Sequence, residues 1–124
     1  MKKELIFGQA TDKERLLITP KNHKLISEKV GEIVTITKLF FLSEVPTVNI
    51  ETGEESTYNT GVAVTDDKEM ISIPNTVALN HINDFIVTIR DEVGEPKSIT
   101  FIPKEVKSAS GNKYIDVEIT DFDI

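Results

Sequence analysis

The chain has 124 residues, 39% of them hydrophobic and 28% charged, with a formal net charge of −7. This is the size and composition of a globular chain with its own core, so a single domain over 1–124 is expected. Cysteine is absent, which excludes disulfides, thiolate metal sites and cysteine nucleophiles, and no apolar run approaches the roughly 20 residues that span a bilayer.

The N-terminal stretch MKKELIFGQATDKERL has a short apolar patch followed at once by polar residues, so a signal peptide is not expected. A cytoplasmic location without a membrane partner fits. The charge is unevenly spread: residues 1–40 carry +3, 41–96 carry −9, 97–113 carry +3 and 114–124 carry −4. Net acidity disfavours a nucleic-acid partner, whose affinity comes largely from lysine and arginine. Surface charges more than about 8–10 Å apart are screened, however, so a local basic face can operate on an acidic protein.

In chain order, ITPKNHKLISEKVG (18–31) predicts a short helix, with Thr19 as N-cap, Pro20 in the first turn and Gly31 as the stop. EIVTITKLFFLSEV (32–45) is β-rich, and its alternation slips near Lys38, which predicts one long strand bent by a bulge. PTVNIETGEES (46–56) is an acidic loop, and 57–73 forms a hairpin with Tyr58, Thr60, Val62 and Val64 on one face. Within 74–96, Asn75 can cap a helix whose apolar stripe is Ala78, Ile82, Phe85, Ile86 and Ile89, ended by Gly94 and Pro96. Segments 98–106 and 113–122 form a second hairpin around KSASGN. A short helix, then five strands with a helix between the third and fourth, is the layout of an OB-fold, a mainly β, partly open five-stranded Greek-key barrel.

Catalytic patterns are missing. His23 and His81 lie in different predicted helices with no partner pattern, and Asp66–Asp67 suits a hairpin turn better than a metal. No P-loop, GxSxG or HExxH string is present. Neither an enzyme nor a cofactor is expected. Binding is the better reading. Proteins that hold single strands combine a basic groove with aromatic platforms, and on an OB barrel the loops joining strands 1–2 and 4–5 flank that groove. Here those loops are 46–56 and 107–112. If Ile115, Val117 and Ile119 fill the core, a period of two puts Tyr114 outside, beside Lys107, Asn112 and Lys113. With a bulge near Lys38, Phe41 packs inside and Phe40 lies outside with Lys38. The candidate contacts are Lys38, Phe40, Lys104, Lys107, Asn112, Lys113 and Tyr114.

The stretches TGVAVTDDKEMISIPNTVALNHINDFIVTI and SITFIPKEVKSASGNKYIDVEI resemble the single-stranded DNA-binding proteins of phages that infect Gram-positive bacteria. The match is a strand ending in an acidic turn, a return strand running into a capped helix, then a strand, a Lys/Ser/Gly tip and a strand opening on Tyr. The preceding VGEIVTITKLFFLSEVPTVNIETGEES is similar to that family's first strand and loop, so the resemblance covers about residues 30–120. It implies an OB-fold, an oligomer that binds single-stranded DNA during phage DNA replication or recombination, phage or host replication and recombination proteins as further partners, and the cytoplasm of the infected host. DVEITDFDI is similar to the acidic tips through which bacterial single-strand binders recruit partners, but it follows its strand directly and is read as a strand end with solvated Asp121 and Asp123. The competing reading is a non-enzymatic structural or protein-interaction barrel. The two differ in whether Lys38, Lys104, Lys107 and Lys113 gather in space.

Overall fold

In the computed structural model, which describes every residue except Asn22 and Asn75, the run after Gly31 is a single strand of 15 residues, β3 (Val34–Val48). It pairs antiparallel with β4 (Glu55–Thr65), with register shifts between Ile36 and Lys38 and between Leu42 and Val45. The first bulge falls where the alternation slips. The second holds Glu44 at φ 55°, its N–H donating to the Asn59 side chain at 3.3 Å. Bulges add bend and twist, and here they let the other edge of β3 serve two neighbours. Val34–Ile36 pair with β6 (Ser98–Lys107), while Leu39–Ser43 pair with β1 (Lys2–Phe7).

β5 (Met70–Pro74) returns from β4, the two-residue β2 (Lys24–Leu25) runs parallel to β5, and β7 (Lys113–Asp123) returns from β6. The sheet order is β2-β5-β4-β3-β6-β7, with β1 attached to β3. The protein is thus mainly β, a sheet curled into an open half-barrel. The seven strands among the described residues exceed the five expected, because β1 and β2 were not foreseen.

Helix α2 (Val77–Glu92) joins β5 to β6. Its stripe is buried at Ala78, Ile82, Ile86 and Ile89, with Leu79 added and Phe85 half-buried. The Phe85 ring meets Phe122 of β7 edge-on, centroids 5.7 Å apart. The cap expected at Asn75 lies outside the described residues. At the other end, the N–H groups of Val93 and Gly94 both donate to the Ile89 carbonyl at 2.8 Å. Gly61 of β4 has no side chain to keep α2 away; a Cβ there would stand 2.7 Å from Leu79 Cδ1. No helix among the described residues is long and apolar enough to cross a membrane.

Apolar side chains gather on both faces of the sheet. Inside the curl, Ile36, Leu39, Ala63, Ile73, Phe101 and Val117 pack with Phe7, Ile26 and the α2 stripe. On the outer face, Phe40, Leu42, Val45, Val62 and Val64 pack under Ile18, with Leu5, Ala10, Tyr58 and Met70 at the margin. This second cluster corrects two expectations. Phe41 and Phe40 do point to opposite faces, but the face Phe40 takes is covered, and Phe40 is 0% exposed. The 18–31 segment is also not an α-helix. It holds β2 and a 3-10 turn, Ile26–Lys29, while the N-terminal helix is α1 (Asp12–Leu17). Ile18 belongs to the outer cluster and Ile26 to the inner one, so the chain between them must pass from one face of the sheet to the other. Thr19 caps no helix. Its hydroxyl donates to the Lys21 carbonyl at 2.8 Å, and the His23 ring donates to the Thr19 carbonyl at 2.8 Å. The true N-cap is Thr11: its hydroxyl accepts the Glu14 N–H at 3.1 Å, and the Glu14 carboxylate accepts the Thr11 N–H at 3.3 Å, a capping box.

The chain leaves β1 at Gly8, φ +94°, where a Cβ would lie 2.4 Å from the Thr37 carbonyl oxygen. Gly8→Ala meets both an unfavourable φ and backbone, so it should lower the urea midpoint clearly more than Gly53→Ala, whose surroundings are open. Phe40→Ala should cost about 3–5 kcal/mol, read as a lower midpoint at unchanged m. An unshifted midpoint would mean that the outer cluster does not cover this ring.

Candidate nucleic-acid interface

The β6–β7 hairpin carries five of the seven sequence candidates. Its tip is closed by backbone bonds from the Ser108 N–H to the Asn112 carbonyl (2.8 Å) and from the Gly111 N–H to the Ser108 carbonyl (2.9 Å). The Ser108 hydroxyl accepts the Asn112 N–H at 3.2 Å, and the exposed Asn112 carboxamide donates to the Ser110 hydroxyl at 3.4 Å. Directly opposed residues share a face. Tyr114 stands across from Val106 and Lys104 across from Asp116, while Lys107 stands across from Lys113 and Glu105 across from Ile115. By the period of two, Tyr114, Val106 and Lys104 share one face of the ribbon, and Lys107, Lys113 and Glu105 share the other. Tyr114 is half-buried; Lys104, Lys107 and Lys113 are exposed.

Electrostatics separates these lysines. Lys107 and Lys113 are like charges directly opposed, an arrangement that is destabilising on its own. Lys113 is relieved by Glu105 at 3.3 Å, an exposed pair of small worth. Lys107 has no ion-pair partner among the described residues. Lys104 faces Asp116, which also joins the hairpin to α2 through His81 Nδ1 at 3.1 Å. Burial acts to raise the Asp116 carboxyl, but the Val117 N–H at 2.8 Å and the His81 ring outweigh it and hold the group below the usual aspartate range.

The other two candidates lie elsewhere. Phe40 is sealed in the outer cluster. Lys38 is 12% exposed at its side chain and pairs with Glu14 of α1. Ile36, two residues before it, is opposed by Ile99, and Lys107 lies eight residues farther along β6, roughly 26 Å by strand rise. That is well beyond the screening length of about 8–10 Å, so the four lysines do not form one groove. The acidic loop 49–54 closes the opposite end of β3 in register from the hairpin tip. Tyr58 belongs to the margin of the outer cluster. Asp67 serves its turn, accepting from the Thr65 hydroxyl and from the Glu69 N–H. No group of three or more metal-ligating side chains occurs among the described residues.

Sequence reasoning missed the acidic partners. Glu105 was legible, since a hairpin centred on 108–112 brings it near Lys113. Glu14 was not, because its pairing with Lys38 depends on α1 packing over the outer sheet face.

The Lys38 ammonium, followed by the Thr11 N–H, holds the Glu14 carboxyl below the usual glutamate range. A carboxyl depressed by folding stabilises at neutral pH, and that contribution is lost as pH falls through its folded value. Lys38→Met should therefore be less stable than the parent near neutrality. The two denaturation midpoints should converge as pH falls through the carboxylate range, and parallel profiles would rule out this pairing in solution. No protein-family model, no curated protein sequence and no solved structure matches this chain.

Proposed function

We propose that the chain binds single-stranded DNA, without reading its sequence, through the β6–β7 hairpin of an OB-type barrel. The strand path supports the barrel. β3 is long and bent and bonds both β4 and β6, as the first OB strand bonds the second and fourth. β5 follows β4, α2 stands between β5 and β6, and β7 follows β6. The departures are the added β1 and β2 and the lack of ladder bonds between β5 and β7. The outer face of β3 and β4 is covered, which favours the projecting hairpin as the contact.

The observation that carries the reading is the opposed pair Lys107 and Lys113 at an exposed tip. Glu105 offsets Lys113 alone, so a bound phosphate neutralises Lys107, which has no ion-pair partner among the described residues. Lys104 adds a third cation on the Tyr114 face, and Tyr114 offers a ring for stacking. The resemblance to phage single-strand binders supports the same reading. It adds a role in replication or recombination, and self-association. The protein-interaction reading draws on Lys38 and Lys113 being paired with carboxylates and on the acidic β7.

Anisotropy of a labelled dT oligomer should rise saturably with protein, and a duplex control should not respond. With three phosphates neutralised, log affinity should fall by about 2 per decade of salt, at roughly 0.7 per phosphate. The triple variant Lys104→Ala, Lys107→Ala, Lys113→Ala should flatten that slope. Tyr114→Ala should weaken binding by about 1–3 kcal/mol for a stacked base. A flat titration at low salt overturns the DNA reading and favours a protein partner.

A further inference from the structure

A groove of about 570 Å³ runs between β1 and α2, within the usual range for small-ligand sites. Its apolar lining is Leu5, Ile6, Leu39, Phe41 and Leu79, and its polar lining includes Asn80, Asn83 and Glu4. Phe41 is half-buried and stands across from Glu4 in the β1–β3 ladder, so the two share a face. Asn80 and Asn83, one helical turn apart on α2, are exposed, and neither carboxamide has a hydrogen-bond partner among the described residues. The cation of the groove is already engaged. Arg90 donates to both Glu95 oxygens, at 2.8 and 2.7 Å, and to the Ile6 carbonyl.

These features select a ligand. With Arg90 neutralised and Glu4 present, a phosphate gains nothing here. An aromatic wall beside two free carboxamides suits a flat, uncharged heteroaromatic ring, and carboxamides pair with base edges. Glu4 supplies acceptors only, which favours a ring bearing an exocyclic amino group. An extended peptide added to the free edge of β1 suits the groove less well, because the β1 ladder shifts register between Leu5 and Phe7 and Arg90 caps the Ile6 carbonyl. We infer that this groove accepts an unstacked amino-bearing nucleobase, cytosine or adenine in preference to thymine, a local preference added to the hairpin's sequence-independent hold on the backbone. The inference rests on the single-strand reading for its biological source, with the hairpin holding the backbone and the groove taking a base. α2 touches both elements, since His81 meets β7 while Asn80 and Asn83 line the groove.

The test is NMR of the isotope-labelled full chain titrated separately with deoxycytidine, thymidine, deoxyribose 5-phosphate and a blocked Val-Thr-Val peptide. Deoxycytidine should shift the Asn80 and Asn83 side-chain amides and the Phe41 ring saturably, roughly fivefold more tightly than thymidine. The sugar phosphate should leave them unmoved, and Asn83→Ala should weaken deoxycytidine without altering the rest of the spectrum. Equal response to both nucleosides, no response, or a response to the peptide alone overturns the inference. A dC oligomer separates the two proposals. If it binds while the groove amides stay silent, the groove assignment fails and hairpin binding stands. If it does not bind but deoxycytidine still does, the groove stands as a nucleoside site and the single-strand reading fails.

Discussion

β3 is buried on both faces and bonded along both edges, and most of the molecule depends on how one strand can satisfy all four demands. A flat strand of 15 residues would hold one neighbour per edge. The shifts at Ile36/Lys38 and Leu42/Val45 bend it so that one edge serves β6 and then β1, while the other keeps β4. The bend curls the sheet around α2, and it leaves Leu39 and Phe41 on the inner side and Phe40 and Leu42 on the outer. Both faces then need cover. α2 supplies the inner cover. The outer cover is the N-terminal segment around Ile18, tied down by the capping box at Thr11 and by the Lys38–Glu14 pair.

The double cover determines where a ligand can act. An aromatic on the outer face of β3 is unavailable to a base, and a lysine on that face is held by a neighbouring helix. The hairpin that extends past the start of β3 remains exposed, and there side chains on both faces of a two-stranded ribbon meet solvent. A ribbon tip cannot bury its charges, and here Glu105 pairs with Lys113 while Lys107 has no ion-pair partner among the described residues. Two lysines opposed at such a tip are tolerable in water and are improved by an anion. Most of the net acidity lies at 41–96, away from the tip in sequence.

α2 connects the two proposed binding places. Its buried stripe fixes its rotation, which directs His81 toward Asp116 on one flank and Asn80 and Asn83 toward β1 on the other. Gly61 allows Leu79 to seat against the sheet, and Arg90 ties the helix to the Ile6 carbonyl. The groove width is thus set by core packing at one end and by a charged clamp at the other.

The sequence by itself determined the local elements whose signals are periodic. These are the long strand with its slip near Lys38, both hairpins, the α2 stripe from Ala78 to Ile89, and the period that separates Tyr114 from Ile115 and Val117. Each follows from side chains alternating or recurring along a single element, which needs no knowledge of the rest of the chain. Tertiary structure decided what those elements face. Nothing in residues 32–45 reveals that Ile18 will cover Phe40, or that Glu14 will reach Lys38. The 18–31 segment has helix-like end signals, yet its two buried isoleucines belong to opposite faces of the sheet. The division of four lysines between a strand centre and a hairpin tip likewise follows from the register of β6 on β3. Burial and charge pairing are properties of neighbours brought together by the fold, and one-dimensional periodicity carries no record of them.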